Sequence, residues 1–309
     1  MSQKGLVQSN IETQPQFSHV TFILNPRSGL LGPKGMVVRQ IDRIWGAANR
    51  RYTVLVTTRA GEGERLAREE AHRGAELIVA VGGDGTLNEV VRGVLGTKVC
   101  VGLLPTGSGN GYARHWKIPL KVDKSCRALL NPRIVACDLG YADDHPFMVT
   151  FGCGVDAEIS ARYRHSTVRG MASYFYHGWR ALREYRSPEV RVHLNGDMIY
   201  SGKPLLLTMA NTRGYGGGTI IAPQARADDG WLDLCIFDNL TLKESLLNLP
   251  SLFNGNVEKI AGYRHFQLQQ ARLERDNGGY IHVDGDSYPG KSEIRISIQP
   301  GIVPFALPA

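Results

Sequence analysis

Residues 82–85 read Gly-Gly-Asp-Gly, a spacing that could bind phosphate. Glycine tolerates positive φ angles and leaves backbone N–H groups uncovered, so such a turn can present several donors to one anion. The apolar run 77–81 predicts a buried strand before the turn, and apolar residues from Leu87 onward recur at helical spacing. The dipole of that helix also favours an anion at its start. The segment therefore predicts a phosphate-binding turn, although an ordinary strand-to-helix turn has the same composition.

Asp84 lies among these glycines, where a bare carboxylate would repel phosphate. It is compatible with an anion only if it accepts hydrogen bonds or faces a magnesium-linked water. The combination of glycines and carboxylate suggests a nucleoside triphosphate with Mg²⁺. A valine at Gly83 or Gly85 should abolish ATP binding without unfolding the protein, because a β-branched residue disfavours the positive φ angles expected of this turn and covers the backbone amides.

Three further loops also follow predicted strands. Residues 25–29 read Asn-Pro-Arg-Ser-Gly, and the side chains of Asn25 and Ser28 can donate to phosphate oxygens. Thr57 ends another apolar run, and the small residues of 104–110 would let a base or ribose approach the backbone. Open α/β sheets bind ligands at the carboxyl ends of their strands. Each loop alone is a common turn composition, so the prediction of a nucleotide site depends on all four together.

Two acidic segments in the second half of the chain could supply a base and a metal ligand. Asp284 and Asp286 flank a glycine after the predicted strand 280–283, and Asp228 and Asp229 precede another glycine. Asp-Gly is also a strong hairpin signal, and paired aspartates also form Asx turns. The residues alone leave both the chemical and the purely structural interpretations open.

Taken together, these segments resemble the soluble lipid kinases of the diacylglycerol kinase and sphingosine kinase superfamily, in its compact bacterial form. The Gly-Gly-Asp-Gly-Thr element alone is shared with NAD kinases and phosphofructokinases, so the resemblance depends on the other motifs. The matching segments, in the family's order, are residues 25–29, 82–89, 105–110 with Ala113 and Arg114, 222–223 with 228–233, and 282–286.

The resemblance implies ATP and Mg²⁺ as cofactors and the hydroxyl of a diacylglycerol-like or sphingoid-like lipid as acceptor. It implies that Asp284 is the proton acceptor and that Asp286, where the family usually has Glu, also contributes to catalysis. It places a structural Mg²⁺ on the Asp229 carboxylate and the main-chain oxygens of Arg226 and Trp231. The residues expected around the nucleotide are Asn25, Ser28, Gly29, Thr57, Gly82, Gly83, Asp84, Gly85, Thr86, Leu87, Asn88, Glu89, Gly107, Ser108, Gly109 and Asn110.

Apolar runs alternate with helical patterns through residues 17–131, which predicts an α/β nucleotide-binding domain with a parallel sheet and helices on both faces. The resemblance makes that domain similar to NAD kinases and phosphofructokinases. Residues 132–309 are dominated by strand patterns and predict a β-rich domain for the lipid substrate, with the site in the cleft between the domains. A polar, disordered lead is expected over residues 1–16. Helices in the second half are predicted near 156–163, 170–185 and 242–253.

Composition adds weaker constraints. The chain has 309 residues, of which 42% are hydrophobic, and no apolar run approaches the roughly 18 residues of a membrane span. Its net charge of +7 is equally compatible with nucleotides, nucleic acid and anionic lipid. Five scattered cysteines suggest reduced, cytosolic residues. We expect a cytoplasmic protein that contacts the inner face of the membrane transiently and has no nucleic-acid partner.

Residues 162–186 alternate arginines with aromatic residues, which suits either a lipid headgroup boundary or an amphipathic core helix. Two competing functions also stay open. An NAD kinase would share the 82–86 motif, and a non-catalytic nucleotide-binding membrane regulator is suggested by Asp286 in place of Glu. The sequence identifies neither the lipid nor the oligomeric state.

Overall fold

The computed structural model describes residues 17–29, 34–164, 183–238 and 247–309, together with residues 180, 240 and 244. The predicted lead 1–16 and most of the predicted helix 170–185 lie outside these residues, as does most of the arginine and aromatic segment. Within the part of the chain described, no helix is long and apolar enough to cross a membrane.

We call residues 17–131, the predicted nucleotide-binding domain, the first lobe. Its four parallel strands lie in the order β2 (Tyr52–Val56), β1 (Val20–Leu24), β3 (Leu77–Gly82) and β4 (Cys100–Pro105). Alternate residues of β1 enter two different cores: Phe22 packs with Trp45 on one face, and Ile23 packs with Leu87 on the other. Both faces of the sheet are therefore covered, as the continuous apolar strands predicted. The elements are β1 (Val20–Leu24), α1 (Lys34–Ile41) with a π-helical turn (Asp42–Gly46), β2 (Tyr52–Val56), α2 (Glu62–His72), β3 (Leu77–Gly82), α3 (Asp84–Val94), β4 (Cys100–Pro105), α4 (Gly111–His115) and α5 (Val122–Ala128).

The second lobe, residues 132–309, is β-rich, as predicted. One of its sheets has the order β12-β11-β10-β7-β14-β15, and β16-β13-β8-β9 faces it across a core that includes Phe151, Leu234 and Leu273. The elements are β5 (Arg133–Ala142), β6 (His145–Phe147), β7 (Thr150–Gly152), α6 (Val155–Arg164), β8 (Val190–Leu194), β9 (Asp197–Gly202), β10 (Pro204–Ala210), β11 (Leu232–Asp238), α7 (Leu249–Asn254), a 3₁₀ turn (Val257–Lys259), β12 (Tyr263–Leu268), β13 (Gln270–Arg275), β14 (Tyr280–Val283), β15 (Asp286–Pro289) and β16 (Glu293–Leu307).

Strand β16 belongs to both lobes. Its first half pairs with β13, whereas Phe305 near its end pairs in parallel with Val101 of β4. It pairs antiparallel with β5 along most of its length, with a register shift between Gln299 and Val303. The parallel sheet of the first lobe is therefore continuous with a sheet of the second.

Candidate active site

The loops that follow β1, β3 and β4 contact each other backbone to backbone. Gly29 has φ +73°, and a Cβ there would lie 1.7 Å from the carbonyl oxygen of Thr106. A Cβ at Gly107 would lie 2.5 Å from the Cα of Gly83. The glycines are required because no side chain fits between these loops. The structure thus brings the predicted strand-end loops together at one edge of the sheet.

Hydrogen bonds between polar side chains hold the three loops in register. Asn25 Nδ2 donates to Thr86 Oγ1 at 3.0 Å, and the hydroxyls of Ser28 and Thr106 lie 2.9 Å apart. Gly82 must lack a side chain because a Cβ there would lie 2.3 Å from Thr86 Oγ1. These residues preorganise the loops.

The expectation that the Gly-Gly-Asp-Gly turn needs positive φ angles is wrong. Gly82, Gly83 and Gly85 are absent from the left-handed residues of the chain, and Gly83 has φ −99°. Their smallness serves close approach instead. A Cβ at Gly85, in the first turn of α3, would lie 3.3 Å from Oδ2 of Asp286 in the other lobe. A valine at Gly83 would therefore crowd Gly107 of the neighbouring loop, and a valine at Gly85 would crowd the Asp286 carboxylate. Neither change is opposed by the backbone angles of the turn.

Asp84 accepts hydrogen bonds, which is one of the two arrangements that the sequence allowed. Its carboxylate oxygens accept the N–H groups of Gly111 at 2.8 Å and Tyr112 at 3.0 Å, at the start of α4. Burial raises the pKa of this carboxyl, while those two donors oppose the rise. Asp84 thus joins the phosphate-type turn to the loop after β4.

Other residues expected around the nucleotide have structural contacts. The Glu89 carboxylate accepts the N–H groups of Gly61 and Gly63 at 2.9 Å each, next to the start of α2. The side chain of Leu87 is fully buried in the core, so only its backbone can face a ligand. The Thr57 N–H donates to Leu24 O at 2.9 Å. Their assignment to nucleotide binding stays a prediction.

The second lobe contributes a glycine loop that the sequence interpretation missed. Gly217 N donates to Gly109 O at 2.9 Å, and Gly216 forms a bridge with Asn110. Asn110 has φ +52° and donates from Nδ2 to Gly107 O at 2.7 Å. The signal was present in the sequence as three consecutive glycines, residues 216–218. This loop closes one side of the cleft against the loop that carries Ser108.

Asp284 occupies the hairpin that its sequence also allowed. It and Gly285 have φ +50° and +87°, and Val283 pairs with Asp286 across the turn. The φ > 0 at both central residues is the type I′ pattern that Asp-Gly favours. The hairpin turn that this dipeptide favours is therefore present, and the assignment of Asp284 as the proton acceptor stays a prediction.

The Asp284 carboxylate accepts four hydrogen bonds. Oδ2 accepts Asn88 Nδ2 at 2.8 Å and Met148 N at 2.9 Å, and Oδ1 accepts Val149 N at 2.8 Å and Thr150 N at 3.0 Å. Burial raises the pKa of this carboxyl to about 6, and the donors act in the opposite direction. Because two carboxylate oxygens offer about four acceptor sites, this group is fully engaged in joining α3 to the second lobe.

Asp286 differs from Asp284 in its exposure to solvent. It is exposed, and its Oδ2 faces Gly85 at the start of α3. The first N–H groups of an α-helix have no carbonyl partner within the helix, so this carboxylate lies beside the place where a phosphate would bind. Of the two aspartates expected in catalysis, Asp286 has the more exposed side chain.

Asp229 forms the Asx turn that its sequence allowed, because its Oδ1 accepts Trp231 N at 3.0 Å. Burial raises the pKa of this carboxyl, and the nearby charges of Asp233 and Asp138 raise it further. A cation at this turn would relieve that repulsion. Among the described residues, no three His, Cys, Asp or Glu side chains are arranged to hold a metal. A magnesium ion here would therefore need main-chain carbonyls and water as its other ligands, a donor set that suits it.

We expect Gly29→Ala to abolish nucleotide binding and to destabilise the fold. The new methyl group would meet the Thr106 carbonyl at a positive φ, which adds a clash to backbone strain. Gly74→Ala is the matched control, since Gly74 has φ +86° and nothing within 4 Å of its Cβ position. The control should lose about 1–2 kcal/mol in the free energy of unfolding. Equal losses in urea unfolding, with ATP affinity retained by both variants, would contradict the packing of these loops.

The contact between His115 and Arg213 should make the lobe junction acid-sensitive. Arg213 N donates to His115 Nδ1 at 3.3 Å, and burial, with Arg213 acting in the same direction, lowers the pKa of His115 to about 4. The unfolded chain therefore binds a proton that the folded protein rejects, and stability falls as the pH drops from about 6.5 towards 4. Urea unfolding of His115→Gln at pH 7 and pH 5 should show a smaller fall than the parent. Equal falls would mean that His115 is not the group responsible.

Comparison with known proteins identifies the family of this chain. Residues 19–142 match the family described as diacylglycerol kinase catalytic domain, and residues 149–307 match the YegS C-terminal NAD kinase beta sandwich-like domain. A "Probable lipid kinase YegS-like" of Yersinia enterocolitica is 31% identical over 264 residues, covering 82% of this chain and 86% of that protein. A relative of the same description from Yersinia pestis is 30% identical over 263 residues, with the same coverage. A crystal structure of a diacylglycerol kinase from Bacillus anthracis superimposes with a TM-score of 0.73 at 19% identity, covering 95% of this chain and 98% of that chain.

Proposed function

The chain belongs to the YegS-like family of lipid kinases with a diacylglycerol kinase catalytic domain, and from this premise we propose its reaction. It transfers the γ-phosphoryl group of ATP, with Mg²⁺, to the free hydroxyl of a diacylglycerol-like or sphingoid-like lipid. The observation that carries the proposal is the approach of Asp286 in one lobe to Gly85 at the start of α3 in the other. A carboxylate thus faces a helix N-terminus suited to phosphate.

In this mechanism the loops after β1, β3 and β4 bind the triphosphate and orient its γ-phosphate towards the cleft. Asp286 accepts the proton of the lipid hydroxyl while the hydroxyl oxygen bonds to the γ-phosphorus. The bond between that phosphorus and ADP breaks, and ADP leaves. Phosphoryl transfer asks the protein mainly for positioning and electrostatic stabilisation. An exposed carboxylate next to the phosphate site supplies the base.

We assign Asp284 a positioning role. Its four hydrogen bonds occupy both carboxylate oxygens and connect Asn88 of α3 with Met148, Val149 and Thr150 of the second lobe. To accept a substrate proton it would have to release one of these donors. Asp284 lies two residues before Asp286 in the same hairpin, so its hydrogen bonds hold Asp286 next to the phosphate-type turn.

The proposed metal ligands are the Asp229 carboxylate and the main-chain oxygens of Arg226 and Trp231. The carboxylates of Asp233 and Asp138 lie near Asp229, and a bound cation would offset the repulsion among these three groups. When bound, Mg²⁺ neutralises carboxylate or phosphate charge. The turn itself is anchored to β5 and β16, because Asp138 accepts Gly230 N and Gly301 N at 2.7 Å each. A cation here would stabilise the junction between the lobes.

The lipid acceptor implies contact with a membrane from the cytoplasmic side. Helix α7 has no buried residue, and it exposes Phe253 beside Gly218 of the loop that closes the cleft. An apolar side chain exposed at that place suits peripheral contact with lipid.

A radiolabelled ATP assay tests the proposal. Purified protein with Mg²⁺ is incubated with a total lipid extract, the labelled lipid is identified, and NAD is supplied in a parallel reaction. We expect label in a lipid that carries a free hydroxyl, and loss of that label when EDTA removes the metal. Label in NAD with none in lipid would replace the proposal by NAD kinase activity. Binding of ATP without turnover of either acceptor would favour a regulator.

A further inference from the structure

A separate cavity of about 460 Å³ lies at the other end of β14. It is lined in part by Arg162 of α6, by Arg186, and by Arg275 at the end of β13. Tyr280, the first residue of β14, also lines it. A volume of this size is within the range of small-molecule sites. The distance along β14 from Tyr280 to Asp284 is four residues, or about 14 Å of strand, so the cavity is distinct from the nucleotide cleft.

Arg275 is a buried charge without a carboxylate partner among the described residues. Only 4% of the surface of Arg275 is exposed. Its two terminal nitrogens donate to the carbonyl oxygens of Tyr280 at 3.2 Å and Lys291 at 2.9 Å, and its Nε is buried with no hydrogen-bond partner. Carbonyl oxygens satisfy donors but do not neutralise a positive charge. A buried guanidinium in this state is costly unless an anion accompanies it.

The neighbouring charges do not supply that anion. Glu158 and Glu184, which also line the cavity, are engaged by Arg162 at 2.9 Å and 2.6 Å. Arg186 is exposed and, like Arg275, has no ion pair within the residues that the structure describes. Three guanidinium groups therefore face two carboxylates, and both of the carboxylates are already paired. The cavity has an excess of positive charge.

We propose that this cavity binds the phosphate group of a second ligand, with Arg275 and Arg186 as its cationic contacts. Guanidinium groups match phosphate oxygens in geometry and charge, and Arg275 is fixed in place by its two carbonyl contacts. The same chemistry describes a free phosphate ester and the headgroup of a phosphorylated lipid. The inference does not depend on the proposed kinase reaction.

Binding of inorganic phosphate, measured by calorimetry with ATP saturating and no lipid acceptor, tests the site. ATP occupies the loops after β1, β3 and β4, so the heat of phosphate binding reports the second cavity. We expect Arg186→Ala and Arg275→Gln each to weaken this binding by at least about tenfold. Arg272→Ala is the matched control, because Arg272 is a partly exposed arginine on the same strand that pairs with Glu274 and does not line the cavity.

The source of the phosphate is distinguished by flotation with vesicles of phosphatidylcholine, with and without phosphatidic acid. Retention that requires phosphatidic acid and is lost in Arg186→Ala identifies a lipid headgroup, whereas phosphate binding without such retention identifies a soluble ester. If Arg275→Gln fails to fold, Arg186→Ala decides the result alone. Absence of binding to both probes, or binding unchanged in Arg186→Ala, overturns the proposal. ATP affinity and turnover, measured in parallel, report on the kinase reaction independently.

Discussion

Asp286→Asn will lower kcat by about 100-fold or more, with ATP affinity nearly unchanged. Asparagine keeps the shape of the side chain that faces Gly85 but cannot accept the hydroxyl proton. In the proposed mechanism the nucleotide is bound by the loops after β1, β3 and β4, and the isosteric change at residue 286 leaves the backbone of these loops in place. The measurement is steady-state turnover on the lipid that the radiolabel screen identifies, together with calorimetric titration of ATP.

Two companion variants sharpen this test. Asp286→Glu restores the longer side chain usual in the resembling kinases and should retain activity. Asp197→Asn makes the same chemical change at the exposed first residue of β9 and should have no effect. Turnover of Asp286→Asn within a few-fold of the parent would remove Asp286 from the role of base.

Asp284→Asn will destabilise the protein by about 2–6 kcal/mol in addition to lowering activity. Asparagine is at least as good as aspartate in a type I′ turn before glycine, so the hairpin itself is preserved. The asparagine NH₂ group, however, takes the place of one carboxylate oxygen, and in the parent protein each of these oxygens accepts two hydrogen bonds. Two donors left unpaired in a buried place cost about 1–3 kcal/mol each. Urea unfolding at neutral pH gives the free-energy difference.

This result separates the two aspartates. A positioning residue loses stability and turnover together, whereas a base loses turnover alone. Asn88→Leu provides an internal comparison. It removes one of the four donors to Asp284 and the bond from Asn88 Nδ2 to Pro146 O, but it leaves the three backbone donors paired with the carboxylate, so it should destabilise by less. A stable Asp284→Asn protein with kcat reduced by about 100-fold would return the role of base to Asp284.

The sequence predicted the first lobe well because its strands are short apolar runs and its helices are periodic, both of which are local signals. The Gly-Gly-Asp-Gly turn was located for the same reason. The cause of its glycines was not predictable, since Gly83 is small to accommodate Gly107, which belongs to a different loop. Long-range packing of this kind leaves no mark on neighbouring residues.

The different environments of Asp284 and Asp286 were likewise beyond local inference. All four donors to Asp284 lie more than 130 residues away in the chain. Only the folded arrangement shows that the Asp284 carboxylate is enclosed by these donors and that the Asp286 side chain is exposed. The strand pattern at residues 294–298 predicts only the first part of β16, because Pro300 and Gly301 interrupt it, and Gly301 has φ +63°.

The two-lobe course of β16 has a consequence for folding. The outer neighbour of strand β4 comes from residues some 200 positions later in the chain, including Phe305. During synthesis the sheet of the first lobe therefore keeps an open edge at β4 until those residues have emerged. Contacts of such long sequence separation slow folding and expose edges to aggregation. Because the ribbon of β5 and β16 connects the lobes, they should also melt as one cooperative unit.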